Sequence, residues 1–199
     1  MKQHNSAKNP PLTGNTEIQR YGSVVNRPIA LEQKSRLTNC ELLNQILADT
    51  MTLRDMYKKH HWQVSGSTFY QLHLLFDKHY GEQAELVDAL AERIQTLGGV
   101  TIAMAHDVAE TTRVERPPRG REDVSMQLFR LLQAHELIIA ETREAAEKAN
   151  QNGDIGTNDL LVSEVLRTNE FEVWFITEQM EGAGLREGAG ERAAAKAHS

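Results

Sequence analysis

Apolar residues recur at spacings of three and four along four stretches of the chain, the period of an amphipathic helix. In the first, Leu43, Ile46, Leu47, Thr50, Leu53, Tyr57, His61 and Val64 form one stripe within a run from about Ser35 to Val64 that holds neither proline nor glycine. Ser65-Gly66-Ser67 breaks it. A second stripe, Phe69, Leu72, Phe76, Tyr80, Val87, Leu90, Ile94 and Leu97, predicts a helix over 68–97, closed by Gly98-Gly99. A third helix is predicted over 122–149, through Leu128, Leu131, Leu132, His135, Ile138 and Ala145. A fourth is predicted over 157–181, around Trp174 and Phe175. The alternating pattern of a half-buried strand does not occur in the sequence.

Helices near 28 residues are roughly 40 Å long, and four of them make a bundle. The third is reached from the second by residues 100–121, a crossover with room for one short helix before Arg116-Pro117-Pro118-Arg119-Gly120. The expected fold is therefore all-α, a four-helix bundle with a long crossover, over residues 31–181. Residues 1–30 carry Pro10, Pro11 and Pro28 among Asn and Ser and are expected to be a flexible arm. Residues 182–199, with Gly182, Gly184, Gly188 and Gly190, are expected to be a flexible tail.

Length and composition narrow the class. The 199 residues suit one domain, or at most two small ones. No uncharged apolar run reaches the length of a membrane span, and Met1 to Pro11 lacks the apolar core of a secretory signal. A lone cysteine, Cys40, excludes an intrachain disulfide and fits a reducing compartment, so a cytoplasmic location is expected. Residues 1–36 have a net charge of +4 and residues 182–199 a net +1, which leaves −11 on residues 37–181 out of a total of −6. An acidic body attracts cations, and a mildly basic arm can touch an anionic polymer.

The chemistry-bearing residues sit on the second predicted helix. His73 and Asp77 are spaced i, i+4, as are Asp88 and Glu92, and all four fall within a sector of about 100° beside the apolar stripe. Carboxylates and imidazole at the rim of a buried face are costly unless paired or bound to a cation. Asp77 and Asp88 are about 16 Å apart along the axis, whereas a metal–ligand bond is about 2 Å. One helix cannot bring both pairs to one ion. Two readings stay open: two solvated helix faces, which is the commoner meaning of such pairs, or two copies of the helix running antiparallel. Asp77 and Asp88 share the midpoint 82.5 with His73 and Glu92. A two-fold axis there would set His73 and Asp77 of one chain against Glu92 and Asp88 of another and generate two equivalent sites. Gly81 and Ala84 flank that point, and His60-His61-Trp62 at the end of the first helix offers a further ligand.

Other residues read as structure. His135 lies on an apolar stripe and is expected to be a core histidine with satisfied hydrogen bonds. His60 and His61, by themselves, suit a helix C-terminus, and Trp62, Trp174 and Phe175 suit packing. Cys40 has no neighbouring base in the sequence to activate it. Glu-x-x-His is absent, which argues against a di-iron site inside one bundle. Cys-x-x-Cys, a phosphate loop and His-Glu-x-x-His are absent too.

The run His61-Trp62-Gln63-Val64-Ser65-Gly66-Ser67-Thr68-Phe69-Tyr70-Gln71-Leu72-His73-Leu74-Leu75-Phe76-Asp77 resembles the signature of the Dps proteins, the starvation-induced miniferritins. Asp88-Ala89-Leu90-Ala91-Glu92-Arg93-Ile94, followed by Leu97-Gly98-Gly99, resembles that family's second block. The resemblance covers about residues 37–181. It implies a ferritin-like subunit in a hollow dodecamer with two-fold and three-fold interfaces. It implies a two-iron ferroxidase centre at each two-fold interface, with His61, His73 and Asp77 from one chain and Asp88 and Glu92 from the other as metal ligands and catalytic residues. It places Trp62 beside the centre, where it intercepts one-electron oxidants. It implies oxidation of Fe(II) by hydrogen peroxide in preference to oxygen, storage of Fe(III) as mineral, and protection of DNA from oxidative damage. Acidic pores near the end of the third helix would admit iron, with Glu141, Glu144, Asp154 and Asp159 as candidates.

Two rival readings accompany this one. Some Dps proteins compact DNA through basic tails, and here Lys2, Lys8, Arg20 and Arg27 face one acidic residue within the first 30. Repeated arms of that charge can bind phosphate by multivalency, which would make the protein nucleoid-associated. The same ligand set also accepts zinc or manganese.

Overall fold

The structure, a computed structural model, describes residues 16–182. Helix α1 spans Gln33–Gln63, α2 Phe69–Thr96, α3 Ala105–Thr111 and α4 Val124–Gln151. Helix α5, Ile155–Leu160, runs through a π-helical stretch, Leu161–Leu166, into α6, Arg167–Gly182. No strand occurs among the described residues. None of these helices is long and apolar enough to cross a membrane. The four long rods are α1, α2, α4 and the α5–π–α6 unit, and α3 lies in the crossover, as the pattern predicts.

Local chemistry sets the ends. Val64 is extended (φ −59°, ψ 144°), its N–H still bonded to His60 O, and Gly66 turns the chain in the left-handed region at φ +97°. The end of α2 is a Schellman closure: Gly98 N–H donates to Gln95 O and Gly99 N–H to Ile94 O, with Gly98 at φ +84°. The Asp123 carboxylate caps α4 by accepting from Met126 N–H. Asp154 caps α5 by accepting from Thr157 N–H, so the last rod begins two residues before the pattern places it.

The stripes meet in one core. Leu43, Leu47, Leu53 and Tyr57 of α1, Leu72, Phe76, Leu90 and Ile94 of α2, Leu128, Leu131 and Ile138 of α4, and Leu161, Val165 and Ile176 of the last rod are all at most 1 % exposed. Helix α1 packs most extensively on α2, consistent with the short link between them, and α4 packs on α1 and on the last rod.

Residues 1–15 of the expected arm and 183–199 of the expected tail lie outside the described residues. The non-helical stretch from 16 to 32 is tied to the end of α2. Val25 N–H and the Gln19 side-chain amide both donate to Gly98 O (2.8 and 2.9 Å). The buried Arg36 guanidinium donates to Val25 O and Leu97 O.

Candidate metal centre

The link 64–68 brings the end of α1 beside the start of α2, and with it two histidines. His61 Nδ1 donates to His73 O at 2.8 Å, and His73 Nδ1 donates to His61 O at 2.9 Å. A carbonyl oxygen only accepts, so each ring carries its hydrogen on Nδ1 and, when neutral, leaves a bare lone pair on Nε2. The rings stack with centroids 3.8 Å apart and planes 20° from parallel, and Phe69 packs against His73 at 5.1 Å. Two metal-type nitrogens are thus fixed side by side by the backbone.

Asp77 stands one turn along α2. Its Oδ1 lies 4.0 Å from His61 Nε2, too long for a hydrogen bond and equal to two metal–donor bonds of about 2 Å each. The Lys58 ammonium of α1 bonds to the same Oδ1, a contact that helical spacing does not reveal. That hydrogen bond, aided by the nearby histidines, holds the Asp77 carboxyl below the ordinary carboxylate value. The ammonium therefore occupies a cation position beside the two histidines.

Asp88 and Glu92 lie on the other half of the same helix, both exposed. Neither carboxylate has a hydrogen bond or ion pair among the described residues. The midpoint of α2, Phe69–Thr96, is 82.5, the same point that bisects the Asp77/Asp88 and His73/Glu92 pairs. Gly81 sits close to it, and a Cβ added there meets nothing within 4 Å. Among the described residues of this single chain, no three His, Cys, Asp or Glu side chains form a group able to hold a metal ion. Eleven residues of helix, about 16 Å, separate Asp77 from Asp88, so one chain does not bring both halves of the ligand set to one ion. Exposed apolar side chains flank the two histidines along the chain: Trp62 follows His61, and Phe69, Tyr70 and Leu74 lie within a turn of His73.

The ferritin-like domain profile matches residues 40–183. The structure of DpsC from Streptomyces coelicolor superposes with a TM-score of 0.82 at 57% identity, covering 82% of this chain and 95% of that one. The chain belongs to the Dps family of ferritin-like proteins. An archaeal Dps homologue from Halobacterium salinarum matches at a TM-score of 0.81 and 28% identity over 84% of this chain and 93% of its own. A nutrient stress-induced DNA-binding protein from Nostoc sp. is 34% identical over 78% of this chain and 84% of its own length.

The other expected residues of this Dps chain fall in distinct places. Trp62 is 71% exposed at the end of α1, next to the histidine pair in sequence. His60 points the other way, into the core against Phe76, and burial pushes its imidazole down to about 3. Glu141 is bonded to Arg113 (2.8 Å), and burial beside Asp49 pushes it up to about 7, so it anchors the crossover. Asp154 is a buried cap. Burial raises its pKa, but Thr157, Asn39 and Arg93 overcome this and leave it below the ordinary value. Glu144, paired with Lys148, and Asp159, accepting from Ser163, are the two exposed members of the pore set.

His135 is a core histidine, as its stripe predicts, but it is part of a larger polar cluster that the pattern does not reveal. Tyr57, His79, Gln83, His135, Asn169 and Glu172 lie together in the bundle, each completely buried. Val165, Asn169, Glu172 and Ile176 share one inward face at spacings of 4, 3 and 4. Beside Tyr57 and His135 on their own apolar stripes, the two polar residues on this stripe are the sequence signal for the cluster.

Proposed function

We propose that this Dps chain is the subunit of a hollow shell that takes up, oxidises and stores iron, with its ferroxidase centres built across a two-fold axis between chains. The observation that carries the reading is the pairing of His61 of α1 with His73 of α2, both Nε2 lone pairs bare when neutral, with Asp88 and Glu92 exposed on α2 at the positions that mirror Asp77 and His73. An antiparallel copy of α2 about residue 82.5 sets His61, His73 and Asp77 against the neighbour's Asp88 and Glu92, twice per dimer. The exposed apolar side chains flanking the histidines are the kind of surface a second copy covers. Imidazole and carboxylate donors suit Fe(II), and the same set accepts zinc or manganese as competitors.

In this reading iron is the substrate. His61, His73 and Asp77 hold one Fe(II), the carboxylates across the axis complete the centre, and the binding of cations displaces the Lys58 ammonium from Asp77. Two Fe(II) ions each give one electron to one hydrogen peroxide molecule, which takes up two protons and leaves as two waters. Oxygen is the alternative oxidant. The Fe(III) passes inward and deposits as oxyhydroxide in a dodecameric shell, which withholds from DNA the iron that would generate radicals. The reading includes a cytoplasmic location and Glu144 and Asp159 as the exposed carboxylates on the entry path.

Mixing two inactive variants tests the composite centre. His61→Ala and Glu92→Ala chains, unfolded and reassembled together in equal amounts, restore about one intact site in four, because one of the two sites in each mixed dimer is free of both substitutions. Fe(II) oxidation should return to that share of the wild-type rate. A mixture as inactive as its parents would overturn the two-chain centre.

A second reading is favoured by the similarity to the Nostoc relative, a nutrient stress-induced DNA-binding protein. Lys2, Lys8, Arg20 and Arg27 of each arm would contact phosphate, with iron oxidation secondary. A gel shift across salt, with and without residues 1–30, tests it. No shift even at low salt removes this reading.

A further inference from the structure

The buried cluster makes no use of itself in the centre just described, yet it is costly. Six polar side chains are removed from water, and His79 Nε2, Gln83 Oε1 and Glu172 Oε1 have no hydrogen-bond partner among the described residues. The last rod departs from α-geometry over Leu161–Leu166, immediately before Asn169 and Glu172. Such π turns are frequent at functional sites.

The hydrogen bonds of the cluster have a defined sense. Asn169 Nδ2 donates to Val165 O at 2.7 Å, on the π stretch, which fixes its Oδ1 as the acceptor for His135 Nδ1 at 2.8 Å. His135 therefore carries its hydrogen on Nδ1 and presents a bare Nε2. The Tyr57 hydroxyl donates to that Nε2 at 2.6 Å. His79 Nδ1 approaches the same phenol oxygen at 3.1 Å, and Glu172 Oε2 lies 3.4 Å from His135 Nε2. Burial keeps the imidazole of His135 neutral, pushed down to about 4, and holds the phenol proton in place. A phenol so placed does not ionise. It can lose an electron only if its proton leaves with it, and the acceptor is already hydrogen-bonded.

Tyr57 is also close to the candidate centre along the chain. It precedes His61 by four residues, about 6 Å of helix rise, and its ring lies 6.0 Å from that of Phe76, the neighbour of Asp77.

We propose that Tyr57 is a redox-active electron donor to the iron centre, with His135 as its proton acceptor and Asn169 as the residue that positions His135. This inference rests on the ferroxidase reading. Hydrogen peroxide needs two electrons, and a centre holding a single Fe(II) supplies one. That electron breaks the O–O bond and leaves Fe(III), one hydroxide and one hydroxyl radical. Tyr57 supplies the second electron. The hydroxyl radical is reduced to hydroxide, the phenol O–H bond breaks, its proton moves to His135 Nε2, and a neutral phenoxyl radical remains. A later Fe(II) returns an electron to the phenoxyl oxygen as His135 returns the proton, so Tyr57 is restored. The sum is two Fe(II) oxidised and one peroxide converted to two hydroxides, with no free radical released. His79 and Glu172 flank the oxygen and the imidazole and keep water away from both.

The test uses the full-length assembly, stripped of iron, loaded without oxygen at one Fe(II) per centre, mixed with hydrogen peroxide and frozen within milliseconds. Electron paramagnetic resonance should show a tyrosyl radical whose hyperfine pattern narrows when ring-deuterated tyrosine is incorporated. In D2O it should lose the couplings of the exchangeable protons that face the phenoxyl oxygen, the stronger from the His135 N–H and the weaker from the His79 N–H. Tyr57→Phe should lose this signal. Should that variant fail to assemble, the deuterium effects in the unsubstituted protein still decide, because of the four tyrosines only Tyr57 has a histidine hydrogen bond among the described residues. Fe(II) oxidation without a tyrosyl signal, a tyrosyl without the stronger exchangeable coupling, or the same signal surviving in Tyr57→Phe each overturns the proposal. Failure of the unsubstituted protein to oxidise Fe(II) overturns the ferroxidase reading itself, and the relay with it.

Discussion

Lys58 of α1 and Asp77 of α2 are joined by a charge-assisted hydrogen bond on the same carboxylate oxygen that faces the His61 ring across 4.0 Å. The ammonium and an incoming Fe(II) compete for one oxygen. Lys58→Met removes the competitor, so Fe(II) should half-saturate the centre at a lower concentration. Exposed ion pairs are weak, so the gain should be about two- to fivefold. Anaerobic Fe(II) titration measures it. A loss of affinity would show that Lys58 serves the centre by keeping Asp77 ionised.

Asp88 and Glu92 make no side-chain hydrogen bond or ion pair among the described residues, so their substitution should not disturb the bundle. Asp88→Asn and Glu92→Gln should leave the urea midpoint within about 0.5 kcal/mol of wild type, as for other surface substitutions. They should slow Fe(II) oxidation by at least about tenfold, the loss that removal of an outer-shell partner alone can give. Stopped-flow absorbance of Fe(III) formation reads the rate. Unchanged oxidation in both variants would remove these carboxylates from the site.

Gly98 separates backbone strain from contact. A Cβ there would lie 2.5 Å from Val25 O at φ +84°, whereas at Gly66, φ +97°, it meets nothing within 4 Å. Gly66→Ala should cost only the left-handed strain, about 1 kcal/mol. Gly98→Ala should cost more, because the segment from Gln19 to Val25 must also leave Gly98 O. Urea denaturation compares them, and equal losses would mean that the segment yields freely.

Stability should peak near pH 6.5. The folded state holds His60 and His79 at about 3 and His135 at about 4, below the ordinary 6.5. Their contribution is complete above 6.5 and is lost as the pH falls toward those values. Glu141, at about 7, and Glu172, at about 8, are raised above the ordinary 4.5. Their contribution is complete below 4.5 and is lost as the pH rises through 7 and 8. Three groups favour the rise from 4.5 to 6.5 against two that oppose it, and only the carboxyls act beyond. Thermal unfolding across pH should show the maximum, and Glu172→Gln should flatten the fall between 7 and 8. A midpoint still climbing at pH 8 would contradict both assignments.

The sequence by itself determined the four rods, their glycine-marked ends and the crossover helix, because apolar period and turn chemistry are local and each stripe buries wherever another stripe meets it. It also located the candidate ligands, since i, i+4 spacing puts side chains on one helix face without help from the rest of the chain. The tertiary structure decided what local pattern does not encode. It turned the His61 and His73 rings onto each other's carbonyls, brought Lys58 to Asp77, made a buried cap of Asp154 and a crossover anchor of Glu141, and gathered Tyr57, His135, Asn169 and Glu172 from three helices around a π turn. These are meetings between residues 12 to 115 positions apart in the chain, and their geometry depends on how the helices pack and rotate against one another, a property that no single helix carries.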